Sequence, residues 1–503
     1  MFSKTYGAAI LGIDAQMIQV EADVSDGLPG YELVGYLSSE VREAKERVRV
    51  AIHNAGFVLP PKKVTINLSP ADLRKEGTAF DLPIAIAILT ASGYLSEEMI
   101  AHTMFCGELS LNGELNPVNG ILPIVLCAKK EGLKRMILPL ANRAEARMMD
   151  GIEVLALQSL SDVVRVLQGG TYEEEVVTIE QETESGELPD FKDVCGQVIA
   201  KRAIEIAVAG GHNILFTGSP GAGKTMLASR IPSIMPALTK EESLELSKIY
   251  SVAGRLDGEK GLLTARPFRA PHHTVTPIAM AGGGRRPVPG EISLASGGVL
   301  FLDEFPEYSR QTIELLRQPL EEKKITINRM AGTCDYPATF LLVAAMNPCP
   351  CGAYPNRNLC RCTEPQIRRY QGRISRPILD RIDLFLQIAP VGYEELLQQG
   401  EQESSVQIRK RVEAARKLQY QRYRKLGIHT NAELPASSLK EYCPLGERET
   451  EMMKEAFYTY QLSARAYHRM IKVARTIADL AGEERILPEH LSEAACYRNE
   501  MKL

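Results

Sequence analysis

The pattern of hydrophobic and polar positions changes twice along the chain and divides it into three parts. In the first part, short alternating runs such as MIQVEADV (17–24) predict β-strands, and longer runs such as SSEVREAKERVRVAIHNAG (38–56) predict helices. In the second part, apolar strands alternate with helical stretches up to about Val391, which indicates a parallel sheet with helical crossovers. In the third part helical spacing dominates, as in LSARAYHRMIKVARTIADLAG (462–482).

These patterns predict an α/β multidomain protein. We expect a mixed α/β domain over residues 1–170, a linker over 171–190, a parallel α/β core over 191–391 and a helical region over 392–503. The stretch EEEVVTIEQETESGELPD, which ends at Asp190, contains eight acidic residues and no basic one. Because such a stretch repels itself and has little to bury, it favours a linker. A solvated helix face is the alternative interpretation.

Composition narrows the class of protein. The chain has 503 residues, 45% hydrophobic and 24% charged, with a net charge of −4, as in ordinary globular proteins. Such a charge gives no global attraction to nucleic acid or membrane, so either partner would need a local basic patch. The longest apolar stretch, PIAIAILTASGYL, is far shorter than the roughly 20 residues that span a bilayer. With no signal-peptide pattern at the N-terminus, we expect a cytoplasmic protein without a membrane partner.

The strongest functional signal is NILFTGSPGAGKTMLASRI (213–231), in which an apolar strand leads through a glycine-rich loop into a helix. Such a loop points its backbone N–H groups and the helix N-terminus at phosphate oxygens. Lys224 is expected to reach the β- and γ-phosphates of ATP, and the Thr225 hydroxyl to bind Mg²⁺. The remaining predicted binding residues are Gly218, Ser219, Pro220, Gly221, Ala222 and Gly223.

Two further buried strands end in polar residues. Asp303 and Glu304 follow the aliphatic run VLFL, and Asn347 follows FLLVAAM. Ligands of parallel sheets bind at the carboxyl ends of the strands. Asp303 is therefore placed to hold Mg²⁺, and Glu304 to orient and polarise the attacking water. Asn347 could hold the same water, but an asparagine in a turn before proline is an equally ordinary interpretation from the residues alone.

Together these residues resemble the AAA+ ATPases, and within them the YifB/ComM family of magnesium-chelatase-like proteins. The signatures are FRAPHHTV, PGEISLASGGVLFLDE, AMNPCPCG and ARTIADL, and the resemblance covers essentially the whole chain. It implies a P-loop AAA+ parallel α/β sandwich, a hairpin inserted after the second helix (267–291), a helical lid, and a homo-hexamer formed with ATP. It also implies that Asn347 is sensor 1, Arg381 the arginine finger and Arg465 the sensor 2 arginine.

The N-terminal part resembles the Lon protease fold, which is ribosomal S5-like. PADLRKEGTAFDLPIAIAIL (70–89) is similar to the Lon segment with the nucleophilic serine, and GELSLNGELNPVNGILPI (107–124) to the segment with its lysine. The resemblance places Ala79 at the serine position and Leu122 at the lysine position. Alanine provides no nucleophile and leucine no base, so we expect a domain without Ser-Lys protease chemistry.

The segment NPCPCGAYPNRNLCRCT (347–363) contains four cysteines in two close pairs. Cytosolic thiols stay reduced, and four thiolates in a short loop are the ligand set of a structural Zn²⁺ site. We therefore predict zinc at Cys349, Cys351, Cys360 and Cys362, with free or redox-active thiols as the alternative. The other cysteines are interpreted as core residues: Cys106, Cys127, Cys195, Cys334, Cys443 and Cys496.

The resemblance implies an ATP-driven ring motor that acts on branched or single-stranded DNA without reading its sequence, as a branch-migration helicase in recombination or natural transformation. A chelatase-like ATPase that remodels a partner protein is the alternative, and an ATP-dependent Lon-type protease is opposed by Ala79 and Leu122.

Three basic clusters could contact a phosphate backbone, although each could equally be a solvated or inter-subunit surface. Their members are Arg368, Arg369, Arg373 and Arg376; Lys323, Lys324 and Arg329; and Arg269, His272, His273, Arg285 and Arg286.

Overall fold

The computed structural model describes residues 1–171, 189–284, 288–329, 332–390, 392 and 402–498. Most of the predicted linker, residue 391 at the predicted lid boundary, Arg285, Arg286 and the side chain of Arg329 lie outside what is described. None of the described helices is long and apolar enough to cross a membrane.

The first part of the chain forms a mixed sheet covered by helices. Its strands are β1 (Phe2–Leu11), β2 (Asp14–Ser25), β3 (Gly30–Val34), β4 (Lys63–Ser69), β5 (Thr103–Phe105), β6 (Glu108–Leu109), β7 (Leu115–Asn116), β8 (Arg135–Pro139) and β9 (Glu153–Leu157). Seven of them pair in the order β3-β4-β2-β1-β5-β8-β9, and β6 pairs with β7 alone. The helices are α1 (Ser39–Asn54), α2 (Asp81–Ala91), α3 (Glu97–Ile100), α4 (Ile121–Lys130), α5 (Arg143–Ala146) and α6 (Leu160–Leu167).

Helix α2 explains how this first part is stabilised. Every residue of its sequence DLPIAIAILTA is buried, because the helix packs between the β1–β2 hairpin and α1. A helix that is apolar on all sides is stable only inside a core. Its one acid, Asp81, is fully buried and accepts two hydrogen bonds from Arg47, at 2.9 and 3.0 Å. The residues just before this helix therefore have a fixed position beside the cleft that contains Ala79.

The second part is a parallel sheet with the order β11-β14-β17-β10-β18. The strands are β10 (Ile214–Gly218), β11 (Phe268–Arg269), β12 (Gly282–Gly283), β13 (Val288–Pro289), β14 (Val299–Leu302), β15 (Lys324–Arg329), β16 (Gly332–Pro337), β17 (Leu341–Met346) and β18 (Leu384–Ile388). The helices are α7 (Val198–Gly210), α8 (Lys224–Ile234), α9 (Lys240–Val252), α10 (Pro277–Ala281), α11 (Glu291–Leu294), α12 (Arg310–Leu315), α13 (Arg317–Glu322), α14 (Glu364–Gln371) and α15 (Arg376–Leu379).

The burial of the strands of this sheet agrees with the prediction from the apolar runs. Every residue of β14 and β17 is buried, as expected for central parallel strands covered on both faces. The β12–β13 and β15–β16 ladders are separate antiparallel hairpins. Phe268 and Arg269, which the resemblance includes in the inserted hairpin, instead form β11 and pair with β14 at the sheet edge. The segment after Arg269 therefore starts beside the end of β14.

The third part consists of helices that share a hydrophobic core with the parallel sheet. They are α16 (Ser405–Tyr423), α17 (Leu439–Tyr442), α18 (Glu447–Thr459), α19 (Ala464–Ala481) and α20 (Pro488–Cys496). The periodic residues of α19 face this core, as the spacing predicts, and those buried are Met470, Ile471, Ala474, Ile477 and Ala478. Single 3₁₀ turns complete the described structure at Leu140–Asn142, Phe191–Asp193, Gly258–Lys260, Phe305–Glu307, Asn431–Glu433 and Ala436–Ser438.

Candidate nucleotide-binding site

Three adjacent strands, β14, β17 and β10, end at one edge of the parallel sheet, and the predicted site residues follow them directly. The Lys224 ammonium donates to the carbonyl oxygens of Gly218 at 2.7 Å and Ser219 at 3.0 Å. It also donates to Oδ1 of Asn347 at 3.0 Å. The asparagine after β17 is therefore in direct contact with the lysine of the glycine-rich loop.

The environment of Lys224 suits an anionic ligand. Only 8% of the residue is exposed, and burial lowers the pKa of its ammonium, although the Asp303 and Glu304 carboxylates oppose this shift. Its hydrogen-bond acceptors are neutral carbonyl and amide oxygens. A buried cation is stabilised most by an anionic partner, and a polyphosphate would supply one.

Two glycines shape the loop around this lysine. A Cβ atom at Gly218 would lie 2.6 Å from the carbonyl oxygen of Ile388, so only glycine allows β10 to lie this close to β18. Gly221 has φ +79°, and no atom lies within 4 Å of the position where its Cβ would be. The loop is thus tightly packed at its base and open at its tip, where its backbone can approach phosphate.

The two predicted Mg²⁺ ligands contact each other. The Thr225 hydroxyl donates to Oδ2 of Asp303 at 2.8 Å, and Oδ1 of Asp303 accepts from the Glu304 N–H at 2.9 Å. Adjacent oxygens in an octahedral magnesium shell are about 3.0 Å apart, because Mg–O distances are about 2.1 Å. The residues present therefore fit a magnesium site, which Thr225 and Asp303 would hold.

Glu304 has an unusual environment. Its backbone is left-handed, with φ 50° and ψ 45°, which a non-glycine residue adopts only when its surroundings impose it. Its carboxylate lies 3.4 Å from Nδ1 of His273. The His273 ring lies against His272, with centroids 4.0 Å apart and the ring planes tilted by 35°. The Tyr308 hydroxyl donates to Pro271 O, which ties this segment to the turn after Glu304.

The sequence analysis included His273 in a basic cluster that could contact DNA or could equally be a solvated or inter-subunit surface, and the structure places it against the predicted catalytic carboxylate. Arg269 of the same cluster is also engaged, since it donates to both carboxylate oxygens of Glu291 at 2.7 and 2.8 Å. The sequence indicates these contacts only through the position of Arg269 in a short strand and of His273 just after it. The pairing of that strand with β14 is a long-range property of the fold.

Arg381 and Arg465 lie together, but not at the glycine-rich loop. Arg381 is 5% exposed and pairs with Glu321, and it shares a cavity of about 160 Å³ with the exposed Arg465. The Asn213 side chain donates to the Arg381 carbonyl at 2.9 Å. Asn213 immediately precedes β10, whereas the glycine-rich loop follows it. The two arginines therefore belong to the opposite end of the sheet.

The four clustered cysteines converge on one point. Their sulfur atoms all lie within 4.8 Å of one another, and three of the separations are 3.4, 3.7 and 3.6 Å. Sulfur atoms of a tetrahedral zinc site are about 3.8 Å apart, because Zn–S distances are about 2.3 Å. Disulfide-bonded sulfurs would be separated by only about 2.05 Å. The arrangement therefore fits a four-thiolate metal site.

The other cysteines only partly match their interpretation as core residues. Cys106, Cys127 and Cys443 are buried, as predicted, whereas Cys195 and Cys334 are half-buried. Cys496 is exposed, so its interpretation as a core residue is wrong. It is the last residue of α20, where the helix ends at the surface.

At the Lon-like cleft, the structure shows apolar side chains where a protease needs polar ones. Ala79 borders a cavity of about 320 Å³, and Leu122 is completely buried. The Leu122 N–H donates to Glu145 at 3.0 Å and to the Ser251 hydroxyl at 3.3 Å. Ser251 belongs to α9 of the second part, so this segment is an attachment point between the two parts.

Family comparisons agree with this site and fold. Residues 190–396 match the family model described as "Magnesium chelatase, subunit ChlI", residues 20–142 match "Subunit ChlI of Mg-chelatase", and residues 402–498 match "Magnesium chelatase, subunit ChlI C-terminal". The fold and the site thus define a magnesium-chelatase-like AAA+ ATPase with a Lon-like N-terminal part and a helical C-terminal part.

Full-length relatives identify the family. The chain is 42% identical to "Competence protein ComM" of Haemophilus influenzae, over 99% of this chain and 97% of that protein. It is 43% identical to "Uncharacterized protein YifB" of Escherichia coli, over 99% and 97%. It is also 26% identical to "Lon protease 2" of Bacillus subtilis, over 31% of each chain. The chain belongs to the YifB/ComM family of magnesium-chelatase-like AAA+ ATPases, which confirms the resemblance.

Proposed function

We propose that this protein hydrolyses ATP as a homo-hexameric ring in the cytoplasm and uses the energy to move branched or single-stranded DNA, as a branch-migration helicase in recombination or natural transformation. The observation that supports ATP hydrolysis is the contact of Lys224 with Asn347 and of Thr225 with Asp303 at adjacent strand ends. The name of the Haemophilus relative, a competence protein, supports the role in DNA uptake.

In the proposed reaction, Lys224 binds the β- and γ-phosphates. Thr225 and Asp303 would hold Mg²⁺, which when bound would supply positive charge beside the phosphates. Glu304 orients the attacking water and accepts its proton, and His273 positions the Glu304 carboxylate. Asn347, held on Lys224, binds the same water beside the γ-phosphate.

The arginines provide the argument for a ring. Five residues of β10 separate Arg381 from its own glycine-rich loop, a distance of about 16 Å at 3.3 Å per residue. An arginine side chain is less than half that length, so Arg381 and Arg465 serve the nucleotide of a neighbouring copy. Their charge stabilises the transition state there, as an arginine supplied in trans does elsewhere.

A second candidate function is remodelling of a partner protein. It is favoured because some basic residues that could contact DNA already form ion pairs with carboxylates of this chain. Lys324 pairs with Asp335 at 2.7 Å, and Arg269 pairs with Glu291. These carboxylates reduce the positive charge available to a phosphate backbone. Arg368 and Arg369 on α14 remain exposed and are the basic residues best placed to contact DNA.

The deciding experiment is ATP turnover with single-stranded, duplex and four-way-junction DNA at fixed salt, because phosphate contacts depend on salt. We expect junction DNA to stimulate turnover and to be resolved by branch migration in an ATP-dependent way. The variant Lys224→Ala is the control and should be inactive in both assays. A wild-type ATPase that no DNA stimulates, and that moves no junction, would contradict the DNA function and leave the remodelling function.

We further propose that Cys349, Cys351, Cys360 and Cys362 bind a structural Zn²⁺ ion. The separations of their sulfur atoms support this assignment. Metal analysis of the purified protein should give one zinc per chain, and replacement of Cys351 by serine should remove it. Stoichiometric zinc in that variant would contradict the assignment.

A further inference from the structure

The loop that contains the four clustered cysteines (349–362, the cysteine loop) lies directly against the glycine-rich loop. Gly352 follows Cys351, is buried and has φ +79°. A Cβ atom at this position would lie 2.4 Å from Cδ and 2.8 Å from Cγ of Pro220. Real carbon atoms do not approach so closely without bonding, so glycine is the residue that allows this contact. Pro220 belongs to the phosphate-binding loop itself.

The same cysteine loop also fixes the position of Asn347. Cys349 is only two residues after Asn347, whose side chain accepts from Lys224 at 3.0 Å. The intervening Pro348 carbonyl accepts from Gln371 of α14 at 3.0 Å. The cysteine loop therefore contacts the nucleotide site at two points, through the Pro220 ring and through the lysine.

Apart from the sulfur atoms, the loop has a small apolar core and short-range hydrogen bonds, such as that of the Cys360 N–H with Asn356 O at 2.8 Å. Its buried cluster contains only Cys349, Cys360 and Ile367, with a few half-buried neighbours. The far end is fixed, because Thr363, immediately after the last cysteine, forms a capping box with Gln366 at the start of α14. A metal would supply the cross-link between the two cysteine pairs that this small apolar cluster cannot supply.

We propose that the metal held by the four cysteines positions the phosphate-binding loop, so that full ATP affinity requires a loaded metal site. With metal bound, Gly352 supports Pro220 and Asn347 supports Lys224. Without metal, the pairs separate and both supports are lost. The proposal rests on the proposed ATPase function and names how that same site is regulated.

The test measures zinc content and ATP affinity separately. Cys351→Ser should lose zinc and bind a fluorescent ATP analogue about tenfold more weakly, which corresponds to the loss of about one hydrogen bond to the nucleotide, ~1.4 kcal/mol. Gly352→Ala should keep zinc but bind the analogue with a similar loss, because its methyl group displaces Pro220. Cys496→Ser, an exposed cysteine outside the loop, is the matched control and should change neither quantity.

A double variant and a reversible treatment complete the design. Adding Pro220→Ala removes the ring atoms with which the methyl group introduced by Gly352→Ala would collide, so the double variant should bind more tightly than Gly352→Ala alone. Chelation of the wild type should weaken analogue binding, and added zinc should restore it, which decides the question if Cys351→Ser fails to fold. Unchanged affinity in the zinc-free protein would overturn the proposal. Wild-type turnover by Lys224→Ala would instead overturn the ATPase function.

Discussion

Replacing Arg381 by alanine tests whether each nucleotide site is shared between two copies of the chain. Arg381 pairs with Glu321, and that carboxylate is half-exposed, so water can solvate it when the arginine is removed. The loss of this pair, and of the hydrogen bond that the buried Arg381 side chain donates to Pro377 O, costs about 1–3 kcal/mol, and we expect the variant to fold and to bind ATP. Turnover should fall about 10³-fold, because the charge supplied to the neighbouring copy is lost.

Mixing two inactive variants makes the test sharper. Arg381→Ala keeps its own phosphate-binding loop, and Lys224→Ala keeps its own arginine. In a ring of head-to-tail interfaces assembled from equal amounts of both, about one site in four combines an intact loop with an intact arginine. We therefore expect the mixture to recover about a quarter of wild-type turnover, as measured by phosphate release after the two proteins are assembled together with ATP.

The control is Arg448→Ala, which removes an exposed arginine from α18 and should leave turnover unchanged. Two results would refute the reasoning. Substantial turnover by Arg381→Ala alone would show that the arginine is not needed for catalysis. A mixture that remains inactive, although both variants enter the same rings, would show that Arg381 does not act on a neighbour.

Three further predictions concern single side chains. Glu304→Gln should bind ATP with wild-type affinity but lower kcat at least about 10²-fold, and ATP that turns over normally would contradict its role. His273→Ala should lower kcat up to about fivefold with unchanged ATP affinity, since it removes a partly exposed 3.4 Å contact to Glu304. Burial would raise the pKa of Asp383, but Arg469 and His212 hold it well below its ordinary value. Asp383→Asn should therefore be less stable than wild type at pH 7, and the difference in melting temperature should shrink as pH falls below about 4, where the wild-type carboxylate loses its advantage.

The meeting of the predicted site residues could be inferred from the sequence because its signals are local. Asp303 and Asn347 each follow a buried strand, and Lys224 starts a helix after a glycine-rich loop. Their meeting at one edge follows from the parallel arrangement of the strands, which the alternation of strands and helices already indicates. What only the structure provides is the hydrogen bonds within the site, from Lys224 to Asn347 and from Thr225 to Asp303.

Contacts that depend on long-range pairing could not be predicted. His273 reaches Glu304 because β11 pairs with β14, and a strand of two residues shows no periodicity in the sequence. The contact of Gly352 with Pro220 joins two loops on neighbouring strands. In the same way, the carboxylate partners of Arg269 and Lys324 lie on other elements, so a basic cluster in the sequence overstates the charge that the surface presents.

In the Lon-like part, a segment that resembles a catalytic segment has a structural role. Around Leu122, the Gly120 N–H donates to Ser251 O at 3.1 Å, and a Cβ at Gly254 would lie 2.8 Å from the Asn119 side chain. This segment is therefore in close contact with the end of α9. A lysine side chain at position 122 would have to enter a completely buried site, at the cost of desolvating its charge. The leucine avoids this cost, while the backbone N–H groups of Gly120 and Leu122 attach the Lon-like part to the helix that precedes the segment containing His273.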